Sequence, residues 1–506
     1  MNTTKRPSPP VKLSKLEKTD VIWRRRIIFS IISIAVFIGI PLWIKTTTIH
    51  RAELPVSQVN ELSSSIYSLI NYEIPVYVNV PKPLNGLIDE TQVLIDSEIE
   101  KEKLPVNFRI VLKNSYSKTS NSGGNDYNLE LVMLEDEEGD AVYVSPFEDR
   151  TTKLFLSSTV IVNGLVSDFI MRTLIHDLFR SEIDMLKKIH EAESILKIPY
   201  SPDYHVTISL LQGGATPTGW DIEEASKLFV NYLNNLKSVA GFAFDSQVEH
   251  YERLSNNTDL AYDSEKGEFI LKESDTSTFI DYSEWGLDQN TELVPSINFI
   301  VYVPDKKFTP IKIENSQSNS FIVPQWGGVC IFNTESNYIE KQELIQIFEI
   351  FASQLFQLLG VPSAPKSPYV RIDTLTRLQT IRNLDNSIDN LVSLVKLVKQ
   401  LPNIAIPEIT SDQVKKSIEL IHSTIKELEK GSWSQASKLS GDAFVLSQKA
   451  FFQKDMVQQV YFPDEHKMAV YTPLLGPFAT ILVLGLLRSL KEFKTLEIQE
   501  KQAKSD

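Results

Sequence analysis

Residues Arg24–Pro55 read RRRIIFSIISIAVFIGIPLWIKTTTIHRAELP, and this stretch decides the architecture. Its centre, Ile27–Ile44, carries no charged side chain. As a helix it rises about 27 Å at ~1.5 Å per residue, close to the ~30 Å hydrocarbon core of a bilayer. A helix satisfies its own backbone N–H and C=O groups, so it can lie where no water is available. The run is apolar on every face, whereas a soluble core helix keeps one apolar stripe. It is longer than the ~7–15-residue apolar region of a secretory signal, and no small-x-small cleavage pattern follows it. Residues 27–44 therefore read as an uncleaved transmembrane helix. Arg24, Arg25 and Arg26 abut one end and Lys45 alone the other, with Trp23 and Trp43 at the two interfaces. That asymmetry places residues 1–26 in the cytosol as a basic tail.

A second uncharged run, Met468–Leu487 (MAVYTPLLGPFATILVLGLL), lies near the other end, with Pro473 and Pro477 towards its start. It predicts a second transmembrane helix over 468–487. Arg488, Lys491 and Lys494 follow it, so the tail 488–506 is expected in the cytosol too. Everything from about 46 to 467 then falls on the lumenal side.

The chain of 506 residues has a net charge of −14. Residues 1–26 run against this, with eight basic and two acidic side chains. The region between the spans is thus strongly acidic and repels nucleic-acid phosphate, which argues against DNA or RNA as a partner. The single cysteine, Cys330, allows no intramolecular disulfide. Inside an apolar strand it reads as a buried small apolar residue, the other use being an intersubunit disulfide.

Between the spans, strand-like and helix-like runs alternate, which predicts an α/β body. Residues 46–200 form its first half. Strands are expected at Ile74–Val80, Phe108–Leu112, Leu129–Leu134, Ala141–Val144 and Lys153–Ser157, and a helix at Leu87–Lys101. Asn163–Lys197 keeps 3–4 apolar spacing through Val166, Ile170, Leu174 and Leu178, then Ile183, Leu186 and Ile189, and reads as one long helix or two joined. The acidic cluster Glu135–Asp140 lacks the ligand spacing of an EF-hand loop and reads as a solvated turn. Residues 201–370 form the second half. It has strands at His205–Gln212, Phe242–Glu252, Asn298–Pro304 and Gly328–Phe332, the last two apolar enough to be buried on both faces. Helices are expected at Ile222–Val239, with Asp221 as N-cap, and at Leu344–Leu359, stopped by Gly360. Trp326-Gly327-Gly328 reads as a tight bend into a buried strand.

Residues 371–460 change character. Ile381, Leu384, Ile388, Leu391, Val395 and Val398 form one helical seam. Val414, Ile418, Ile421, Ile425 and Leu428 form a second between Ser411 as N-cap and Gly431 as stop, and Ala436, Leu439, Ala443, Leu446 and Ala450 a third. Short seams joined by short links predict an antiparallel bundle within one chain; a dimeric coiled coil is the alternative.

A search for chemistry finds no nucleophile elbow, phosphate-binding glycine loop, His-Glu-x-x-His or Cys-x-x-Cys. His176 and His190 on the predicted long helix read as surface or core histidines, since His190-Glu191 lacks the second histidine of a zinc-protease helix. No catalytic, cofactor-binding or metal-binding residue is assigned, and no cofactor is expected. Three function classes fit such a chain: a non-catalytic subunit of a membrane complex, a tethered lumenal hydrolase or transferase using carboxylate chemistry, and a lipid carrier held at both ends. The only Asn-x-Ser/Thr sequon between the spans, Asn256-Asn257-Thr258, is a candidate N-glycosylation site at Asn256.

The pattern Gly39-x-Pro41-Leu42-Trp43-x-x-Thr46-Thr47-x-x-x-Arg51-x-x-Leu54-Pro55 resembles the start of the PIG-S family, subunit S of the GPI transamidase. Similar stretches follow in order: Tyr204–Leu211, Trp220-Asp221-Ile222-Glu223, Phe244-Asp245-Ser246-Gln247, Leu293-Val294-Pro295, Pro324-x-Trp326-Gly327-Gly328-Val329 and Tyr461-Phe462-Pro463-Asp464. The resemblance implies a structural subunit of the endoplasmic-reticulum complex that replaces a C-terminal signal of proproteins with a GPI lipid. It implies as partners a caspase-like catalytic subunit, PIG-K, together with PIG-T, PIG-U, a metallopeptidase-like GPI attachment subunit and membrane lipid. It carries no catalytic residue onto this chain.

Overall fold

The computed structural model describes residues 18–47, 51–80, 86–115, 126–134, 139–144, 150–191, 196–215, 217–250, 254, 260–279, 294–401, 404–454, 456 and 465–503. Contacts divide the chain into two units. One gathers Met1–Leu54, Leu394–Asp412 and Ala450–Asp506, and the other Pro55–Ser393 and Gln413–Lys449. The chain starts with α1 (Lys18–Ile34), passes through a π turn at Ala35–Gly39 and continues as α2 (Ile40–Thr47). Ile34 and Ile40 keep right-handed helical dihedrals on both sides of the π turn. Ile27, Phe29, Ile31, Ile34, Phe37 and Ile38 point outward and exposed, as lipid-facing side chains do.

The second unit opens with α3 (Val56–Leu69) and a parallel βαβ unit of β1 (Asn71–Asn79), α4 (Leu87–Glu102) and β2 (Asn107–Asn114). Strand β3 (Tyr127–Met133) pairs parallel on the other side of β1. Strands β4 (Ala141–Val144) and β5 (Thr151–Leu156) are next in sequence, yet β5 inserts beside β3 and leaves β4 antiparallel on the outer edge. The order is β2-β1-β3-β5-β4. The stretch Asn163–Lys197, expected as one long helix or two joined, holds two: α6 (Val166–Arg172) and α7 (Arg180–Lys187) joined through a π turn at Thr173–Leu178. A short α5 (Ser158–Val162) precedes it, and Gly164, with φ 67°, follows the end of α5. The π turn lets Leu174, Ile175 and Leu178 all remain buried.

The second half runs β6 (Asp203–Gln212), β7 (Gly219–Trp220), α8 (Ile222–Asn235) and β8 (Gly241–His250). An insertion follows with β9 (Ala261–Asp263) and β10 (Glu268–Leu271), then β11 (Ser296–Val303), β12 (Ile311–Ile313), β13 (Ser320–Val323), β14 (Gly327–Ile331), β15 (Tyr338–Ile339) and α9 (Lys341–Leu359). The main sheet has the order β13-β14-β11-β6-β8. All its pairs are parallel except the edge strand β13. Counted within each sheet, both halves follow one topology, 2-1-3-5-4, with the fourth strand antiparallel on the edge and a helix crossing between the first two. The body is thus built from one α/β module used twice.

Strands β6, β11 and β14 of the second module are buried on both faces over most of their length, whereas β2, β3 and β5 of the first alternate buried and more exposed residues. In the second, α8 and α9 cover one face, where Phe229, Phe299, Phe348 and Phe351 interlock, with Phe299 and Phe351 stacked at 4.8 Å between ring centres. The other face is covered by the three-stranded sheet β12-β10-β9 through Leu271, Ile311 and Ile313. Asn319 fastens that sheet to β14, its amide donating to the carbonyls of Ile311 (3.0 Å) and Ile331 (2.8 Å). The bend at Trp326-Gly327-Gly328 serves the backbone. A Cβ on Gly327 would lie 1.7 Å from the Asn298 carbonyl oxygen, and one on Gly328 2.0 Å from Gln354 Oε1. Helix α9 carries a Glu340/Glu343 capping box and is closed by Gly360 at φ 78°.

Three long helices follow: α10 (Pro368–Gln400), α11 (Glu408–Glu429) and α12 (Trp433–Phe451). Within the second unit their seams interlock partly through polar side chains. Asn383 Nδ2 meets Ser440 Oγ at 3.3 Å, and Ser417 Oγ donates to the Ala443 carbonyl at 2.9 Å. Ser411 is not the N-cap of α11. The helix starts a turn earlier, and the Ser411 hydroxyl donates instead to the Glu53 carbonyl at 2.6 Å, within the first unit. There the Ala52 N–H also reaches the Ile406 carbonyl at 2.9 Å. The chain ends in α13 (Glu465–Ala503), which carries Pro473 and Pro477 inside it. Two stretches, Thr19–Leu42 and Tyr471–Thr495, are long and apolar enough to cross a membrane. The architecture is therefore a two-module α/β body with a helical-bundle segment and two flanking apolar helices.

Candidate functional site

The most constrained polar cluster of the second unit lies where the first sheet meets α10. Leu178, Glu182 and Leu186 are spaced by one helical turn, which aims a carboxylate along an apolar stripe. Arg377 does the same on α10, one turn before Ile381. Both side chains are 0% exposed, and they meet as a fork, Arg377 Nε to Glu182 Oε1 at 2.7 Å and Nη2 to Oε2 at 2.6 Å. The carboxylate also accepts from Tyr72 of β1 (3.1 Å) and Thr374 (3.2 Å). The remaining guanidinium nitrogen donates to Tyr127 of β3 (3.1 Å), whose own hydroxyl donates to Asp373 at 2.8 Å. Arg150, just before β5, donates to both oxygens of Asp373. The Arg377 guanidinium lies 5.5 Å from the Trp433 ring centre.

This cluster positions and does not react. Burial first, and then the neighbouring Glu182 charge, push the Tyr72 phenol far above its ordinary range. Burial likewise holds the Tyr127 phenol high. Both hydroxyls stay protonated donors, and no substrate reaches a pair with zero exposure. Glu182 accepts four hydrogen bonds and each of the three Arg377 guanidinium nitrogens donates one, the kind of satisfaction under which a buried pair is tolerated. The arrangement fixes α10 against β1, β3 and α7 in a single register.

Cys330 sits on β14, 3% exposed in the apolar core, and burial pushes its thiol up to about 12. A thiol held protonated there is no nucleophile. His176 and His190 are both exposed, and the His190 ring packs edge-on against Tyr67 at 4.8 Å. Among the described residues no three His, Cys, Asp or Glu side chains gather to hold a metal. Asn256, most of the acidic run (135–138) and Tyr461–Asp464 lie outside the described residues.

In the first unit, α1 and α13 are joined at their basic ends. Arg24 Nη1 lies 3.6 Å from Glu492 Oε1, and the Arg25 guanidinium 4.4 Å from the Phe493 ring centre. Further along, the two helices enclose a wholly apolar cleft of about 810 Å³ between Ile31–Ile40 and Leu475–Leu486.

Compared with known families, residues 30–496 match the model of the phosphatidylinositol-glycan biosynthesis class S protein. The chain belongs to the PIG-S family. The matched range begins inside the first apolar helix and ends at the far side of the second, so it takes in both units. Among PIG-S relatives, the GPI transamidase component GPI17 of Saccharomyces cerevisiae is 29% identical over 503 residues, covering 93% of this chain and 92% of that protein. The human GPI-anchor transamidase component PIGS is 25% identical, covering 91% and 94%. The PIG-S homolog of Schizosaccharomyces pombe is 26% identical, covering 91% and 82%. The buried ion pair was missed in sequence because its halves stand 195 positions apart. The available signal was a charge on an otherwise apolar stripe, at both Glu182 and Arg377.

Proposed function

We propose that this chain is a non-catalytic, structural and assembly component of the GPI transamidase, anchored in the endoplasmic-reticulum membrane. The observation that carries this reading is the near full-length correspondence with proteins named as components of that complex. The partners proposed are the caspase-like PIG-K, PIG-T, PIG-U and the metallopeptidase-like attachment subunit. The interior of the body supports such a role: its buried charges are spent on positioning and its one thiol is unreactive. Holding other subunits and substrate in register lowers a barrier without any chemical group of its own, since orientation alone removes entropy loss. Capture of the full chain from microsomes in mild detergent should bring the other transamidase subunits in stoichiometric amounts. Recovery of the chain alone from intact membranes would oppose the proposal.

The proposed topology puts both termini in the cytosol and residues from about 46 to 467 in the lumen, supported by the basic flanks of the two spans. Protease added to sealed microsomes should then trim only the tails, and Asn256 should carry a glycan that a deglycosylating enzyme removes. Digestion of the whole body would invert the arrangement.

Cys330→Ser should leave transamidation by the assembled complex unchanged. It should lower stability by only ~1 kcal/mol, the order expected for a hydroxyl placed in an apolar strand. Loss of turnover in a normally assembled variant would assign this thiol a chemical role.

A further inference from the structure

Within the first unit, one end of the helical bundle is fastened to the chain that leaves the first span on the side away from its arginines. The Ala52 N–H donates to the Ile406 carbonyl at 2.9 Å, the Ser411 hydroxyl to the Glu53 carbonyl at 2.6 Å and Arg51 Nη2 to the Val398 carbonyl at 3.2 Å. Thr410 Oγ1 lies 3.8 Å from Met456 Sδ, which brings the residues after α12 to the same place. The end of α10, the start of α11 and the segment leaving α12 thus meet beside Arg51–Glu53. This seam is close to the span. From Ile44 to Arg51 the chain makes three helical steps of ~1.5 Å and four more of at most ~3.6 Å, a reach of about 19 Å at full stretch. The headgroup layer fills the first ~5–8 Å of that height.

What this end of the bundle presents is apolar. Leu401, just past α10, is 37% exposed, Ile409 on the first turn of α11 54%, and Phe452 just past α12 64%. Thr410 and Ser411 on the same turn are buried, so Ile409 points away from the seam. The exposed charges around them nearly cancel: Lys396, Lys399 and Lys454 stand against Glu408 and Asp412, and Arg51 against Glu53. Such a patch offers little field to an anionic headgroup or a charged protein; what it offers is apolar area to bury. The lysine stems can lie along apolar surface with their ammonium groups in water, as in segments seated at a membrane interface. The bilayer is the apolar phase that the fastened span brings within reach.

We propose that this end of the bundle dips into the headgroup layer through Leu401, Ile409 and Phe452, so that the chain holds the bilayer at a third point besides its two spans. The inference rests on reading Ile27–Ile44 as a span, and the test reports on that reading separately. The full chain, alone and with the subunits that co-purify with it, is placed in phosphatidylcholine nanodiscs. Ile409→benzoylphenylalanine and Phe452→benzoylphenylalanine are irradiated, and the adducts are identified by mass. Both positions should join phosphatidylcholine about as efficiently as Leu42→benzoylphenylalanine in the span, where the native side chain is 60% exposed. The yield should be severalfold above that of Val162→benzoylphenylalanine, a control position 83% exposed in the second unit. Lipid adducts at Leu42 with only the Val162 level at 409 and 452 would overturn the proposal and leave the span reading standing. Adducts of 409 and 452 to another subunit in place of lipid would overturn it in favour of a protein occupant. Absence of lipid adducts at Leu42 as well would overturn the span reading and this proposal with it.

Discussion

Arg377→Met should be among the most damaging single substitutions in the body, costing about 3–5 kcal/mol, because it strands the Glu182 carboxylate unpaired at zero exposure. That is a large part of the ~5–15 kcal/mol by which a domain is ordinarily stable. The stranded charge would still be met by Tyr72 and Thr374, which cannot neutralise it. Thermal unfolding of the purified chain in detergent should show the loss, and cells should retain less of the protein. Glu182→Gln combined with Arg377→Met should recover most of it, since the amide keeps an oxygen for Tyr72 and neither position then leaves an unpaired ion. A single variant as stable as the parent would mean the pair does not fix α10 to the first sheet.

Gly327→Ala should be equally severe for a different reason. The added Cβ would sit 1.7 Å from the carbonyl oxygen and 2.6 Å from the carbonyl carbon of Asn298 on the neighbouring central strand. Neither atom belongs to a side chain that can turn away. Relief requires β11 and β14 to part, and these strands form the middle of the second sheet. Overpacking of side chains alone costs about 1–3 kcal/mol; a backbone collision should exceed that and leave the second module unfolded. Limited proteolysis should cut the variant within the second module while Gly139→Ala, where the new methyl meets nothing within 4 Å, behaves as the parent.

Much of the fold was legible where the signal is local. The apolar run after Arg26 needs no partner to declare itself, because the bilayer is its solvent. Strands such as Asn298–Pro304 and the Gly360 stop were readable because hydrophobic patterning and left-handed glycines act within a few residues. What escaped is long-range. That β5 lands between β3 and β4, and that the second sheet repeats the order of the first, depends on pairings no window of sequence contains. The apolar spacing of Asn163–Lys197 fits one helix or two joined, and only the structure, with its π turn at Thr173–Leu178, decides for two. Ser411 looked like a cap because caps are serines, but its hydroxyl is spent on the Glu53 carbonyl. Glu182 and Arg377 stood in plain view on apolar stripes, and only the fold shows that each is the other's partner.

As proposed, this chain is a component that transamidation needs but that performs none of the chemistry. The most direct test measures transfer of a GPI lipid onto a proprotein by three preparations: the complete complex, the complex from cells lacking this chain, and the purified chain alone. The account predicts activity in the first, loss of activity in the second with restoration when the chain is supplied, and none in the third. Cleavage or transfer by the isolated chain, or a full rate from the complex without it, would contradict the account.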